Sequence, residues 1–447
     1  MPVTERMKAA DVAWLRMENR ANPMTITAVL TTAAPMARET LLRLFRERLL
    51  VHRRFRMRVD DPAAAAPRWV LEDPFDLDRH VVPLTLRAPG DQAALQEAVS
   101  ELMSTPLSFA HAPWQIHHVE RYEGSGRPGS AVVARLHHCI ADGIALMHVL
   151  LSISDELWDP LAVTSPTSPR PKQPLAKRLA TAAKGAVAHP ARIGRGAKAA
   201  VLGAGTLARL TFMPGDPETP YKGTTSPHKR AAWTRPIPLD GVKAVGRATG
   251  AKVNDVLLAA AAGALRRYMA AQGKPTDGVE IRAAVPFNVR PLERAHELGN
   301  AFALVFLPLP VGVEDPAERL RLLKARMDRI KRSAEPAVTY GVLQTIGLTP
   351  HFVHHLVVKL FATKATAVMT NVPGPTSQLH LAGVPLEDLM FWVPQAGDLA
   401  LGLSILSYDG RVLVGVASDA TLADPVALVH AFEEEFAALA SRYAENV

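Results

Sequence analysis

Of the 447 residues, the stretch Leu136-His137-His138-Cys139-Ile140-Ala141-Asp142-Gly143 has the residue types and spacing to do chemistry. Residues 130–135 before it have strand character, and residues 144–155 after it have helix character. Neighbouring side chains on extended backbone project to opposite sides. One imidazole can therefore enter a reaction channel while the other packs behind it. An imidazole is suited to take a proton from an alcohol or thiol near neutral pH. Asp142, four residues after His138, can fold back to brace the turn, and Gly143 permits the backbone geometry there.

The chain holds its own control. Two further His-His pairs occur, His117-His118 in a strand-like run and His354-His355 in a helical one, and neither is followed by the aspartate and glycine. Those pairs read as packing or solvated histidines. The rival chemistry at the motif is a covalent route through Cys139. On extended backbone Cys139 points away from His138, which disfavours that route.

The pattern HHxxxDG resembles the active-site signature of the CoA-dependent acyltransferase superfamily, which includes chloramphenicol acetyltransferase and peptide-synthetase condensation domains. Within it, the chain is most similar to the bacterial wax ester synthase/diacylglycerol acyltransferase family. The resemblance implies acyl-CoA as co-substrate with no other cofactor, a fatty alcohol or diacylglycerol as acceptor, and His138 as general base beside His137. It also implies an α/β fold of mixed sheets: two chloramphenicol-acetyltransferase-like lobes with a channel between them.

Other segments carry the same resemblance in family order. Residues 7–22 read as a helix that leads through Asn22-Pro23-Met24 into a strand, and Glu18 within it is either near the active site or a surface glutamate. Ala112-Pro113-Trp114 stands where the family has Pro-Leu-Trp; Trp114 lines the channel or is a core tryptophan. Asn254-Asp255 opens an apolar helix. Either residue can cap that helix, and the family match places Asn254 by the active site, where it or backbone amides would stabilise an oxyanion. Arg290 follows a strand and is the expected partner of Asp142, which would make that aspartate structural. Leu298-Gly299-Asn300 and the strand after it are also family-like. Met369-Thr370-Asn371-Val372-Pro373-Gly374-Pro375 has Thr370 where the family commonly has serine, and reads as a tight loop over the channel.

These segments fall into a lobe at 1–158 with the histidine motif, a Pro/Ala-rich crossover at 159–228 and a second lobe at 229–447. Nine Lys or Arg and no acid lie between Asp159 and Asp216. That stretch accounts for the net charge of +8, so basicity is a local feature and no nucleic-acid motif accompanies it. Residues 175–188 and 191–212 alternate cations with apolar residues at helical spacing, which suits either an anionic lipid surface or a solvated linker face. A single cysteine fits a reducing compartment, and no cysteine cluster marks a metal site. The N-terminus has no signal-peptide pattern and no run is long enough to span a bilayer. The expected location is cytoplasmic, peripheral to the inner membrane or to lipid droplets. Two rival functions remain: a condensation-type or polyketide-associated acyltransferase fed by a carrier protein, and a non-catalytic lipid-droplet coat.

Overall fold

The computed structural model describes residues 3–62, 66–124, 126–156, 203–289, 298–300, 302–346 and 351–444. Arg290, the Pro-rich segment and most of the basic linker lie outside the described residues. In chain order the first half is β1 (Thr4–Arg6), α1 (Ala9–Met17), β2 (Thr25–Thr32), α2 (Arg38–Leu44), β3 (Met57–Asp60), β4 (Arg68–Leu71), α3 (Leu77–His80), β5 (Val81–Pro83), α4 (Gln92–Met103), β6 (Trp114–Tyr122), β7 (Gly129–His137) and α5 (Gly143–Ile153). The second half opens with α6 (residues 203–212). It continues with β8 (Lys229–Trp233), β9 (Ile237–Pro238), α7 (Leu239–Thr249), α8 (Val253–Ala271), β10 (Ile281–Asn288), β11 (Phe302–Leu309), α9 (Pro316–Lys331), α10 (Glu335–Ile346), α11 (His351–Ala362), β12 (Ala367–Pro373), β13 (His380–Leu381), β14 (Val384–Trp392), β15 (Leu401–Tyr408), β16 (Arg411–Asp419) and α12 (Pro425–Ala444).

β7 is buried along its whole length, as its near-continuous apolar sequence requires of a strand covered on both faces. It lies at the centre of a six-stranded sheet of order β13-β14-β2-β7-β6-β5. Two of these strands, β13 and β14, come from the second half of the chain. β14 runs antiparallel to β2, with Phe391 opposite Ala28 and Trp392 opposite Thr27. The second large sheet has order β11-β10-β12-β15-β16-β8, and β12 is parallel to both its neighbours. The two halves of the sequence therefore interlock, and one apolar cluster contains Leu136, Ile140 and Ala145 together with Phe302, Val372 and Leu406. These mixed sheets with their helices are the expected fold class.

Two expectations change. Residues 369–373 are the end of strand β12, with Thr370 opposite Ser404, and the chain leaves the sheet only at Gly374. Pairing with β15 runs through Pro373 there and outweighs the turn signal of Pro-Gly-Pro. Gly374 is required by close approach, since a Cβ would lie 2.4 Å from the Ser407 carbonyl oxygen. Arg53, Arg54, Arg56 and Arg58 read from the sequence as lying around an exposed turn and strand, but Arg54 is largely buried: its guanidinium lies 4.3 Å from the Trp69 ring centroid and 3.5 Å from Asp11.

Candidate active site

His137 ends β7, and His138 begins the turn that leads into α5. Asp142 is the N-cap of that helix, its Oδ1 accepting the Ala145 N–H at 3.0 Å. It thus braces the turn as its spacing implies. Gly143 is the first helical residue and has no left-handed φ. It lines a cavity, and a Cβ there would make ordinary contact with Val372 of β12 at 3.6 Å.

The two imidazoles diverge. His137 Nδ1 accepts the Cys139 N–H at 3.2 Å, so the neutral ring carries its proton on Nε2. That nitrogen lies 3.3 Å from Glu18 Oε2, and Glu18 also accepts the Met24 N–H. The turn after α1 thus places the partly exposed Glu18 carboxylate beside His137. Phe109 meets the same ring edge-on at 5.0 Å.

His138 points the other way, stacked on Trp14 at 4.2 Å and tilted against Phe302 at 5.7 Å. Burial holds its pKa at about 4, below the ordinary 6.5. The ring is therefore neutral at physiological pH. Its backbone is clamped from both sides: the N–H donates to the Met24 carbonyl at 2.7 Å, and the carbonyl accepts from Asn300 Nδ2 at 2.9 Å. Asn300 is held in turn by Asp11, whose Oδ1 accepts both its N–H and its Nδ2. Lys8 Nζ donates to the Leu298 carbonyl. Gly299 has a φ of +113° and faces Lys8 and Asp11, a position that excludes a side chain. Cys139 is fully buried and burial pushes its thiol pKa well up, which removes it as a nucleophile.

The even-numbered face of the first sheet, with Ile26, Ala28, Ala134 and Leu136, walls a wholly apolar cavity of about 130 Å³ that reaches Gly143. Trp114 lines it while donating its Nε1–H to the Phe55 carbonyl at 2.8 Å, so it is both a lining and a core residue. Phe391 of β14, Val372 of β12 and Leu406 of β15 close it from the second half.

A second cluster forms beside the first. Asn371 Nδ2 donates to Asn254 Oδ1 at 3.0 Å, joining two motifs 117 residues apart and leaving the Asn254 amide group free to donate. Asp255 does the capping, accepting the Lys252 N–H at 3.1 Å. Val372, next to Asn371, lines the same cavity as Gly143. Among the described residues no hydrogen bond joins Asn254 or Thr370 to His138. Sequence reasoning missed Trp14 and Asp11. The one available signal was their place on α1, which ends at Met17, one residue before Glu18.

Residues 7–257 match the wax ester synthase/diacylglycerol acyltransferase catalytic domain, and residues 298–440 match the C-terminal domain of the same family. The chain belongs to that family. Among its relatives is a probable diacylglycerol O-acyltransferase of Mycobacterium tuberculosis, 28% identical over 446 residues that cover 96% of this chain and 94% of the relative. In fold it is similar to the wax ester synthase/diacylglycerol acyltransferase of Marinobacter aquaeolei VT8, with a TM-score of 0.70, 21% identity and coverage of 98% and 99%. The first condensation domain of the calcium-dependent antibiotic synthetase shares the fold at a TM-score of 0.62 and 16% identity, with coverage of 99% and 97%. As a member of the wax ester synthase/diacylglycerol acyltransferase family, the protein is an acyltransferase. The match favours neither the carrier-protein reading nor the coat.

Proposed function

We propose that this acyltransferase moves a long-chain acyl group from acyl-CoA to the hydroxyl of diacylglycerol or a fatty alcohol, with His138 as proton acceptor. The observation that supports it is a neutral imidazole clamped where the two halves meet, in a motif whose Leu136 and Gly143 line a cavity with only apolar walls. The acceptor oxygen attacks the thioester carbonyl carbon as its proton passes to His138. The tetrahedral intermediate collapses, the carbon–sulfur bond breaks, and the imidazolium returns the proton to the departing thiolate. Asn254, with its amide group free, is the side-chain candidate for steadying the oxyanion, an effect of about 3 kcal/mol per donor. Asp142 holds the start of α5, and the Cys139 N–H holds His137 in one tautomer, with Glu18 beside the ring.

Among the described residues no helix is long and apolar enough to cross a membrane. α6 carries Phe212 at 85% and Leu207 at 41% exposure, apolar side chains that suit insertion into a lipid surface on the cytoplasmic side. The test is thiol release from palmitoyl-CoA with hexadecanol or with dioleoylglycerol in anionic vesicles. Release that depends on either acceptor is expected, with Phe212→Ser raising KM for the vesicle-borne acceptor alone. Acceptor-independent background would sink the reading, and an unchanged KM would remove the lipid contact.

The cavity also predicts a specificity change. Ala134→Phe places a ring in its wall and should favour shorter chains, displacing about two or three methylenes of the longer one at roughly 0.8 kcal/mol each and so shifting the ratio of kcat/KM for sixteen- over ten-carbon substrates by about 10–100-fold. An unaltered ratio would mean that neither substrate chain enters there.

A further inference from the structure

At the far end of the first sheet from the histidines lies a second cleft, of about 470 Å³, that the reaction does not use. Thr25 of β2 pairs with His137 and Thr31 with Ala131, a separation of roughly 20 Å along the strand. Val29 and Thr31 line the cleft, whereas Ile26, Ala28 and Leu30 of the same strand line the apolar cavity. The cleft therefore opens on the opposite face of the sheet. Both halves of the chain build it: Asp91 before α4 and Tyr122 of β6 line it together with Glu387 and Asp388 of β14 and Arg411 of β16.

Tyr122 is the residue that calls for an occupant. It is only 6% exposed, yet among the described residues its hydroxyl has no hydrogen-bond partner, where a buried tyrosine ordinarily finds one. The oxygen lies over Gly124, at which a Cβ would collide with it, and both residues line the cleft. Burial raises the phenol pKa, and Asp388, Glu387 and Asp91 raise it further, so three carboxylates surround this one hydroxyl. Arg411 answers Asp388 at 3.1 Å. Among the described residues no cation pairs with Glu387 or Asp91, and Asp91 uses one oxygen to cap α4. Arg235 also lines the cleft but is exposed, so water screens its charge.

The carboxylates are too dispersed for a metal: among the described residues no three His, Cys, Asp or Glu side chains could hold an ion. We propose that the cleft binds a primary alkylamine of the polyamine class. An alkylammonium carries three donors and no acceptor. The Tyr122 oxygen and the carboxylates of Glu387 and Asp91 are the acceptors it meets. Val29, Met390 and Leu413 line the same cleft and take the methylene stem. β14 turns Asp388 and Met390 to this cleft and Leu389 and Phe391 to the apolar cavity. An amine bound here thus braces, from behind, a strand that closes the cavity.

The test is calorimetric titration of the full chain with spermidine at constant ionic strength, with tetramethylammonium as a competing cation that cannot donate a hydrogen bond. Wild type should bind spermidine saturably at one site, and tetramethylammonium should not displace it. Glu387→Gln should raise Kd by about tenfold or more, the loss of a charge-assisted hydrogen bond, and Tyr122→Phe by about three- to tenfold. Both variants should keep the wild-type Tm, because neither removes a group that the protein itself hydrogen-bonds. No saturable heat, an unchanged Kd in either variant, or displacement by equimolar tetramethylammonium would each overturn the site.

Discussion

His138→Ala is expected to lower kcat/KM for acceptor-dependent thiol release by about 10²–10⁴-fold, the range for removing a positioned acid–base group. That loss corresponds to roughly 3–5 kcal/mol of barrier. The fold should survive it. The lost stacking on Trp14 at 4.2 Å is an aromatic contact worth about 0.5–1.5 kcal/mol, and the clamps on residue 138 are made by its backbone. Far-UV circular dichroism and Tm should therefore stay close to wild type while turnover collapses. A variant that keeps full turnover would show that another group accepts the proton.

Asp11→Ala should be the most damaging single change to stability near the site. The Asp11 side chain is fully buried, and burial raises its pKa while Arg54 opposes that rise. It accepts two hydrogen bonds from Asn300 and faces Arg54 at 3.5 Å. Truncation leaves both Asn300 donors and the guanidinium without their acceptor. Breaking a buried pair costs about 3–5 kcal/mol. Arg54 keeps 13% of its side chain exposed and its stack on Trp69, so the lower end, about 3 kcal/mol, is expected. Urea unfolding measures it, and kcat should fall as well because Asn300 holds the His138 carbonyl. A destabilisation below about 1 kcal/mol would mean that the Asp11–Asn300 clamp is not what fixes the turn.

The local parts of the site were legible because their signals are local. Two histidines, an aspartate and a glycine at a strand-to-helix junction lie within eight residues. Glu18, Asn254 and Asn371 were each flagged by family motifs. Their contacts were not readable, because Asn371 and Asn254 meet only once β12 and α8 are packed. Trp14 looked like any apolar residue of an amphipathic helix, and nothing in its spacing marks it as the surface on which His138 stacks. Asp11 and Asn300 are separated by 289 residues, a distance over which sequence pattern carries no pairing. The crossing of β14 into the first sheet was hidden for the same reason. Its alternation fits either sheet, and only the register with β2 decides.

The most direct test of a buried, neutral base is the pH dependence of kcat/KM, which reports the free enzyme's essential groups. Loss of activity in a variant has many causes; the position of the acid limb has few. The same shift affects stability. The folded pKa of about 4 lies below the ordinary 6.5, so this group's contribution is complete above pH 6.5 and is lost as pH falls toward 4. Folding must therefore be monitored alongside rate. With His138 as the base, kcat/KM for acceptor-dependent release should stay level from pH 8 to about 5 and fall only toward pH 4. A half-fall near pH 6.5 in a fully folded enzyme would contradict the account, because it would place the essential base in water.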